Sequence, residues 1–193
     1  MRIITGALKG RILPFNARRA GQLRLTSSLL KEAVFSMLGP DLEGLSFLDL
    51  CAGTGQMGLE AHSRGARSAL NEPDKRRYTL LQGVQREWGL EGLELYHMKG
   101  QVLIPWLEER GRRFDLVYAD PPYEALLSDR PLCLGLLEGL GAGGLLSERG
   151  WCFVQHQRKL ELPAEAGRLR RHRSRDYGQT TLSLYSPLPL PGA

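Results

Sequence analysis

Apolar and polar positions run along the chain in two rhythms, and the change between them divides it. The opening reads Arg2-Ile3-Ile4-Thr5, then Gly10-Arg11-Ile12-Leu13, and predicts two short strands around a Gly6 to Gly10 turn. Residues 14–24 are polar and arginine-rich and predict a loop. Thr26 stands where a helix cap belongs. Leu29, Leu30, Ala33, Val34, Met37 and Leu38 then share one helical face, and Gly39-Pro40 ends the helix.

From Leu45 onward, strand and helix patterns alternate. Strands are predicted over 46–50, 68–72, 93–96, 114–119 and 151–154, with helices over 56–64, 74–88, 102–110 and 131–140. Residues 168–173 and 180–185 read as a closing hairpin across Tyr177-Gly178. The alternation implies an α/β fold, a mostly parallel seven-stranded sheet covered on both faces, with an antiparallel C-terminal hairpin. A small β-hairpin and helix extension over 1–40 is expected to precede a catalytic domain over 41–186, and a proline-bearing tail over 187–193 is expected to fray.

Length and charge refine this picture. The 193 residues suit one domain with a short appendage. No apolar run reaches the roughly 18–20 residues of a membrane span, and no signal-peptide core opens the chain, so a cytoplasmic protein is expected. Cys51, Cys133 and Cys152 have no metal-ligand spacing and read as small hydrophobes. His62, His97, His156 and His172 are equally scattered. Charge is sorted along the chain: +7 over residues 1–31 with no acid, −6 over 32–157 and +4 from 158 onward. Separated positive surface suits phosphate backbones, and a solvated surface is the plainer alternative. Within Arg168-Leu169-Arg170-Arg171-His172-Arg173-Ser174-Arg175, an alternating strand cannot turn every arginine to one side.

Two loops carry candidate chemistry. Asp49-Leu50-Cys51-Ala52-Gly53-Thr54-Gly55 lies where the first strand turns into a helix, and glycines there allow close backbone approach to a ligand. Glu72, followed by Pro73, ends the second strand, where an acid can accept from ribose hydroxyls. Gly53-x-Gly55-x-x-Gly58 also satisfies the dinucleotide fingerprint, so NAD-type binding, methyl-donor binding and a structural turn all stay open. Asp49 favours a donor that carries an amino group, such as S-adenosylmethionine, because a carboxylate would repel a pyrophosphate.

The second loop is Asp120-Pro121-Pro122-Tyr123, at the end of the apolar strand Phe114–Ala119. Two prolines stiffen it and bias Asp120 toward extended geometry. The Asp120 carboxylate and the Pro121 carbonyl are then two acceptors for an amine with two N–H groups, and Tyr123 can stack on the base that carries it. An exocyclic amine is a weak nucleophile because its lone pair is delocalised. Hydrogen bonds to both N–H groups localise that pair for attack on a sulfonium methyl, without metal or covalent nucleophile.

Met1-Arg2-Ile3-Ile4-Thr5-Gly6, Lys9-Gly10-Arg11, Lys31-Glu32-Ala33-Val34-Phe35, the Asp49–Gly55 loop, Gly58-Leu59-Glu60-Ala61 and Asp120–Tyr123 together resemble the RsmD family, bacterial enzymes that methylate the N2 amine of a guanine in 16S ribosomal RNA. The resemblance implies a class I methyltransferase Rossmann-like fold, S-adenosylmethionine as donor, S-adenosylhomocysteine as product and no metal. It implies donor contacts from Asp49, Cys51, Ala52, Gly53, Thr54, Gly55, Glu72, Pro73 and Asp120. It implies RNA contacts from Arg2, Lys9, Arg11, Arg24 and Lys31. Relatives usually carry Asp or Asn after the third strand; here the stretch is His97-Met98-Lys99-Gly100-Gln101, and Gly100 and Gln101 are the candidates. Where relatives show Arg-Pro-Thr, an acid and an arginine, this chain has Arg24-Leu25-Thr26-Ser27-Ser28-Leu29. The expected partner is rRNA within a small-subunit assembly particle, for a monomer away from membranes. Competing readings are a DNA adenine N6-methyltransferase, an inactive nucleic-acid-binding relative and, more distantly, an NAD oxidoreductase.

Overall fold

A computed structural model describes residues 2–14 and 28–188. Arg24, the Thr26 cap and most of the arginine-rich stretch before it lie outside these, as does the end of the tail. The chain divides into two compact units, Met1–Lys99 and Gly100–Ala193.

The first unit contains α1 (Ser28–Leu38), β1 (Ser46–Asp49), α2 (Gln56–Ser63), β2 (Arg67–Asn71), α3 (Lys75–Trp88) and β3 (Glu94–Tyr96). β2 pairs in parallel with β1 on one side and β3 on the other. Phe47, Leu48, Ala69 and Leu70 are all buried, the continuous apolar run of a strand covered on both faces. Asp74 caps α3 by accepting the Arg77 N–H at 3.0 Å, and Gly89, at φ 61°, ends it.

The N-terminal segment does not form the two predicted strands. Only Arg2 and Ile12 bridge, with Ile3 N–H bonded to the Arg11 carbonyl at 3.0 Å and Gly10 N–H to the Ile3 carbonyl at 2.9 Å. The intervening donors go elsewhere: Ile4 and Thr5 N–H to Glu60, Ala7 and Leu8 N–H to Ser63. Ile3, Leu8 and Leu13 enter the same apolar cluster as Leu59, Leu70 and Leu81. The buried face of α1 is also rotated from the predicted one. It presents Leu30, Lys31, Val34 and Phe35, and leaves Leu29 62% and Met37 43% exposed.

The second unit contains α4 (Gly100–Glu108), β4 (Phe114–Ala119), β5 (Leu126–Leu127), β6 (Arg130–Pro131), α5 (Leu132–Ala142), β7 (Leu146–Gln157), β8 (Glu165–Ala166), β9 (Leu169–Tyr177) and β10 (Thr180–Pro187). Its strand order is β4-β7-β10-β9-β8. β4 and β7 are parallel, and the remaining pairs are antiparallel. Among the described residues, the strands of three or more residues are those the alternation predicts; the two-residue β5, β6 and β8 are additions. β5 and β6 form a hairpin whose Ser128 and Asp129 have φ of 49° and 62°, the both-positive geometry of a type I′ turn without its usual glycine. No helix among the described residues is long and apolar enough to cross a membrane.

Candidate active site

The glycine-rich loop leaves β1 and enters α2 within the first unit. Gly53 and Gly55 have φ of 55° and 77°, left-handed conformations that side chains resist. A Cβ on Gly55 would stand 2.6 Å from Leu81 Cδ2, and one on Gly58 would stand 2.5 Å from Leu70 Cδ1 and Cγ. The three glycines therefore do different work: Gly53 turns the chain, Gly55 turns it and admits Leu81, and Gly58 lets α2 lie close on β2. Asp49 is buried at the end of β1, and its Oδ2 accepts the Gly58 N–H at 2.9 Å. The acid thus anchors the first turn of α2. Thr54 is buried in the loop, and Cys51 is half-buried.

Glu72 lies just beyond β2 and is nearly inaccessible. Its Oε2 accepts the Gly53 N–H at 2.8 Å and its Oε1 the Asp74 N–H at 2.8 Å; Arg77 Nε stands 3.0 Å from Oε1. A carboxylate offers about four acceptor positions. The Gly53 and Asp74 N–H groups use one position on each oxygen, and the Arg77 guanidinium adds positive charge without a hydrogen bond from Nε. The neighbouring Asn71, fully buried, was not anticipated from sequence. Its Nδ2 donates to the Leu50 carbonyl at 3.0 Å, and its Oδ1 accepts the Met98 N–H at 3.1 Å. The Ala52 N–H also donates to the Asn71 carbonyl at 2.8 Å. Asn71 therefore ties the loop after β1 to the segment after β3. A polar residue ending an apolar strand was the available signal. His97 stacks on Tyr78 at 4.8 Å and lies 3.1 Å from the Pro73 carbonyl.

Of the basic residues expected to meet RNA, Arg2, Lys9 and Arg11 are exposed, and Arg11 lies 5.2 Å over the Trp88 ring. Lys31 is a correction. It is 3% exposed, and its ammonium donates to Glu60 Oε2 at 3.3 Å and to the Arg2 carbonyl at 2.8 Å. Glu60, 0% exposed, also accepts from Arg64 Nε and Nη2 at 3.1 and 2.9 Å, besides Ile4 and Thr5 N–H. Lys31 neutralises a buried acid and is unavailable to a phosphate.

In the second unit, Gly100 and Gln101 begin α4 and are half-buried. Pro105 lies inside that helix, so it provides no N–H for the Gln101 carbonyl. Asp120 follows the end of β4 and is half-buried; Pro121 is buried and Pro122 exposed. The Pro122 carbonyl accepts the Ala125 N–H at 3.1 Å, which closes the loop. The Tyr123 hydroxyl is 2.7 Å from Thr180 Oγ1, at the start of β10, a partner 57 residues away that sequence reading missed. A cavity of about 190 Å³ lies against the loop, lined by Pro121, Pro122, Tyr123, Pro131, Leu132, Cys133, Gln157, Lys159 and Leu160. Its walls are mostly apolar, with Tyr123, Gln157 and Lys159 bringing polar and cationic groups. Burial pushes the Cys133 thiol up and the Cys152 thiol up to about 12, which leaves both unreactive.

A family model described as "Conserved hypothetical protein 95" matches residues 1–186. The chain is 32% identical over 191 residues to "Putative rRNA methyltransferase YlbH" of Bacillus subtilis (strain 168), covering 96% of this chain and 98% of that one. It is 28% identical over 186 residues to "Ribosomal RNA small subunit methyltransferase D" of Escherichia coli (strain K12), covering 96% and 89%. The solved structure titled "Putative methyltransferase yhhF from Escherichia coli" superposes with a TM-score of 0.78 at 26% identity, covering 97% of each chain. The fold is that of the class I methyltransferases.

Proposed function

The chain belongs to the family described as Conserved hypothetical protein 95, and from that premise we propose that it transfers a methyl group from S-adenosylmethionine to the exocyclic N2 amine of a guanine in small-subunit ribosomal RNA. The observation that carries this reading is the Asp120–Tyr123 loop at the end of β4, its tyrosine tied to Thr180 beside a base-sized cavity. When bound, the donor supplies an electrophilic methyl on a sulfonium centre. The residues of the first unit fit such a group. The Gly53–Gly55 turn would bring bare backbone to it, the Glu72 carboxylate would accept a ribose hydroxyl, and Asp49 would hold its amino group. Cys51, Ala52, Thr54 and Pro73 complete that surface, and Gly100 and Gln101 serve its adenine.

Asp120 and the Pro121 carbonyl accept the two N–H groups of the guanine amine and localise its lone pair. The nitrogen would then attack the donor's methyl carbon as its bond to sulfur breaks and the thioether leaves, and the proton would leave as the nitrogen becomes cationic, with Asp120 as the nearby acceptor. Tyr123 stacks on the guanine, extruded from its neighbours into the cavity. Positioning and fixed dipoles supply the rate. Arg2, Lys9, Arg11 and Arg24 hold the RNA, within an extension over 1–40 that precedes the methyltransferase domain over 41–186. The protein acts as a cytoplasmic monomer on a small-subunit assembly particle.

Incubation with methyl-labelled donor and naked rRNA, small subunits or duplex DNA tests the reading. Label on guanine N2 of the RNA is expected. Label confined to DNA adenine would reassign the substrate, and no label on any of the three would remove the activity. Asp120→Ala is expected to abolish transfer while donor binding survives; undiminished transfer by that variant overturns the mechanism.

A further inference from the structure

Strand β9 carries the densest run of positive charge in the chain, and its pairing with β10 sorts that run by face. Directly paired residues of antiparallel strands share a face. Tyr177 pairs with Thr180, Arg175 with Leu182 and Arg173 with Leu184. Ser174 and Asp176 alternate to the other face, where they meet the hydroxyls of Ser183 and Thr181. Simple alternation would continue with Arg171 beside Arg173 and would send Arg170 away. A register shift between Leu184 and Tyr185 reverses this: Arg171 pairs with Tyr185, and Arg170 with Ser186. His172 is the extra residue, its Nε2 lying 2.7 Å from Ser186 Oγ. Arg170, Arg173 and Arg175 therefore share one face. Arg171 turns to the other and donates to the Leu162 carbonyl at 2.7 Å.

All three arginines of that face are exposed. The Arg173 side chain has no hydrogen bond or ion pair among the described residues, and that of Arg175 has only the ring of Tyr177, 5.9 Å from its guanidinium carbon. Arg170 alone meets an acid, the exposed Glu165 at 3.2 Å. The arginines' β10 partners Ser186, Leu184 and Leu182 stand two residues apart, a repeat of roughly 6.7 Å, so the cations form a row. The row leads to the catalytic loop. Thr180 is flanked by Tyr177 on β9 and Gln157 on β7, and it holds the Tyr123 hydroxyl.

We infer that this arginine row is a second RNA-binding surface, which grips the phosphate backbone flanking the base at Tyr123. The inference rests on the reading of the substrate as RNA. Charge sign and continuity with the base-stacking tyrosine select that partner. The alternative occupation is none at all, since β8 covers only Leu169 and Arg170 and exposed arginines also guard a free strand edge against pairing with another chain.

Titration of the full chain with a small-subunit rRNA fragment at several salt concentrations decides between them. Arg173→Ala with Arg175→Ala is expected to weaken binding and to lower the slope of log K against log salt by about 1.4, from about 0.7 per lost single-strand contact. Donor affinity is expected to stay at the wild-type value. Arg113→Ala with Arg149→Ala, two exposed cations of the same unit, is the charge-matched control, and its slope is expected to change little. Replacing Arg173 and Arg175 by lysine is expected to retain the slope. No loss in the alanine pair, or an equal loss in the control, overturns the inference and leaves the methyltransferase reading intact. That reading fails separately if the wild-type protein transfers no label to RNA.

Discussion

Glu60 is the residue on which the first unit closes. It is fully buried, and its carboxylate gathers two cations and two backbone N–H groups. Glu60→Gln keeps the shape and removes the charge, which strands Lys31 and Arg64 in the interior. Losing one partner of a buried ion pair costs about 3–5 kcal/mol. Urea unfolding of Glu60→Gln is expected to show a loss in that range, and a change within about 1 kcal/mol would remove the cluster from the account of stability. Lys31→Met is expected to cost less, because a neutral Glu60–Arg64 pair remains, and to leave RNA affinity unchanged. The contrast with Asp120 explains what could be read from the sequence. The role proposed for Asp120 rests on its neighbours Pro121, Pro122 and Tyr123, so it can be read from four consecutive residues. Of the partners of Glu60, Arg64 lies four residues away, but Lys31, Thr5 and Ile4 lie 29, 55 and 56 residues away. Its local marks are an acid between Leu59 and Ala61 and an arginine one turn on, which do not single out Lys31 as a partner.

Elements were legible where period and length agreed. β4 runs over the predicted residues, and α2, α3 and β1 differ from prediction by a residue at one end. β5 and β6 were not, because two-residue strands show no period and Ser128-Asp129 lacks the glycine that marks a type I′ turn. The register shift in β9 was also invisible, since it depends on which β10 residue each β9 residue meets. Between β7, β10 and β9 a hydrogen-bonded chain crosses three strands: His156 Nε2 lies 2.9 Å from Ser183 Oγ, which lies 2.8 Å from Ser174 Oγ. His156 Nδ1 lies 3.1 Å from the Gln157 carbonyl, which can only accept, so the neutral ring carries its proton on Nδ1 and takes the Ser183 hydroxyl at Nε2. Burial drives the His156 pKa below its ordinary 6.5, with Arg171 in the same direction, against its carbonyl neighbours and Asp176. His62 is lowered as well, by burial. A depressed histidine binds fewer protons folded than unfolded. Its contribution is therefore complete above the ordinary value of 6.5 and is lost as pH falls through that value toward the folded one. Melting temperature is expected to fall on acidification from about pH 8 to about pH 5. His156→Gln is expected to flatten part of that fall and leave the share due to His62, and an unchanged pH profile would deny His156 any role in it.

At the scale of the molecule, the charge sequence of +7, −6 and +4 is accurate as a count and misleading as a map. Lys31 is counted in the first block but buried on Glu60, and Arg171 in the last block turns inward to the Leu162 carbonyl. What the first block presents among the described residues is Arg2, Lys9 and Arg11, carried on a segment that its own apolar residues fasten to the core. That attachment gives these cations a use that a free arm would lack. Ile3 N–H bonds the Arg11 carbonyl, so Arg2 and Arg11 are held on either side of a fixed backbone contact. Arg11 is further restrained over Trp88. Cations held in place lose less conformational entropy on meeting phosphate than cations on a coil, and salt still governs their contribution. Arg2→Ala with Arg11→Ala is therefore expected to weaken binding to rRNA and to reduce its salt slope by about 1.4, with donor affinity and fold unaffected. The fold control is simple, because neither side chain is buried and the Arg2 carbonyl that Lys31 uses is retained in alanine. RNA binding with an unchanged slope in this pair would mean that the acid-free N-terminus serves solubility, and that the RNA is gripped elsewhere on the chain.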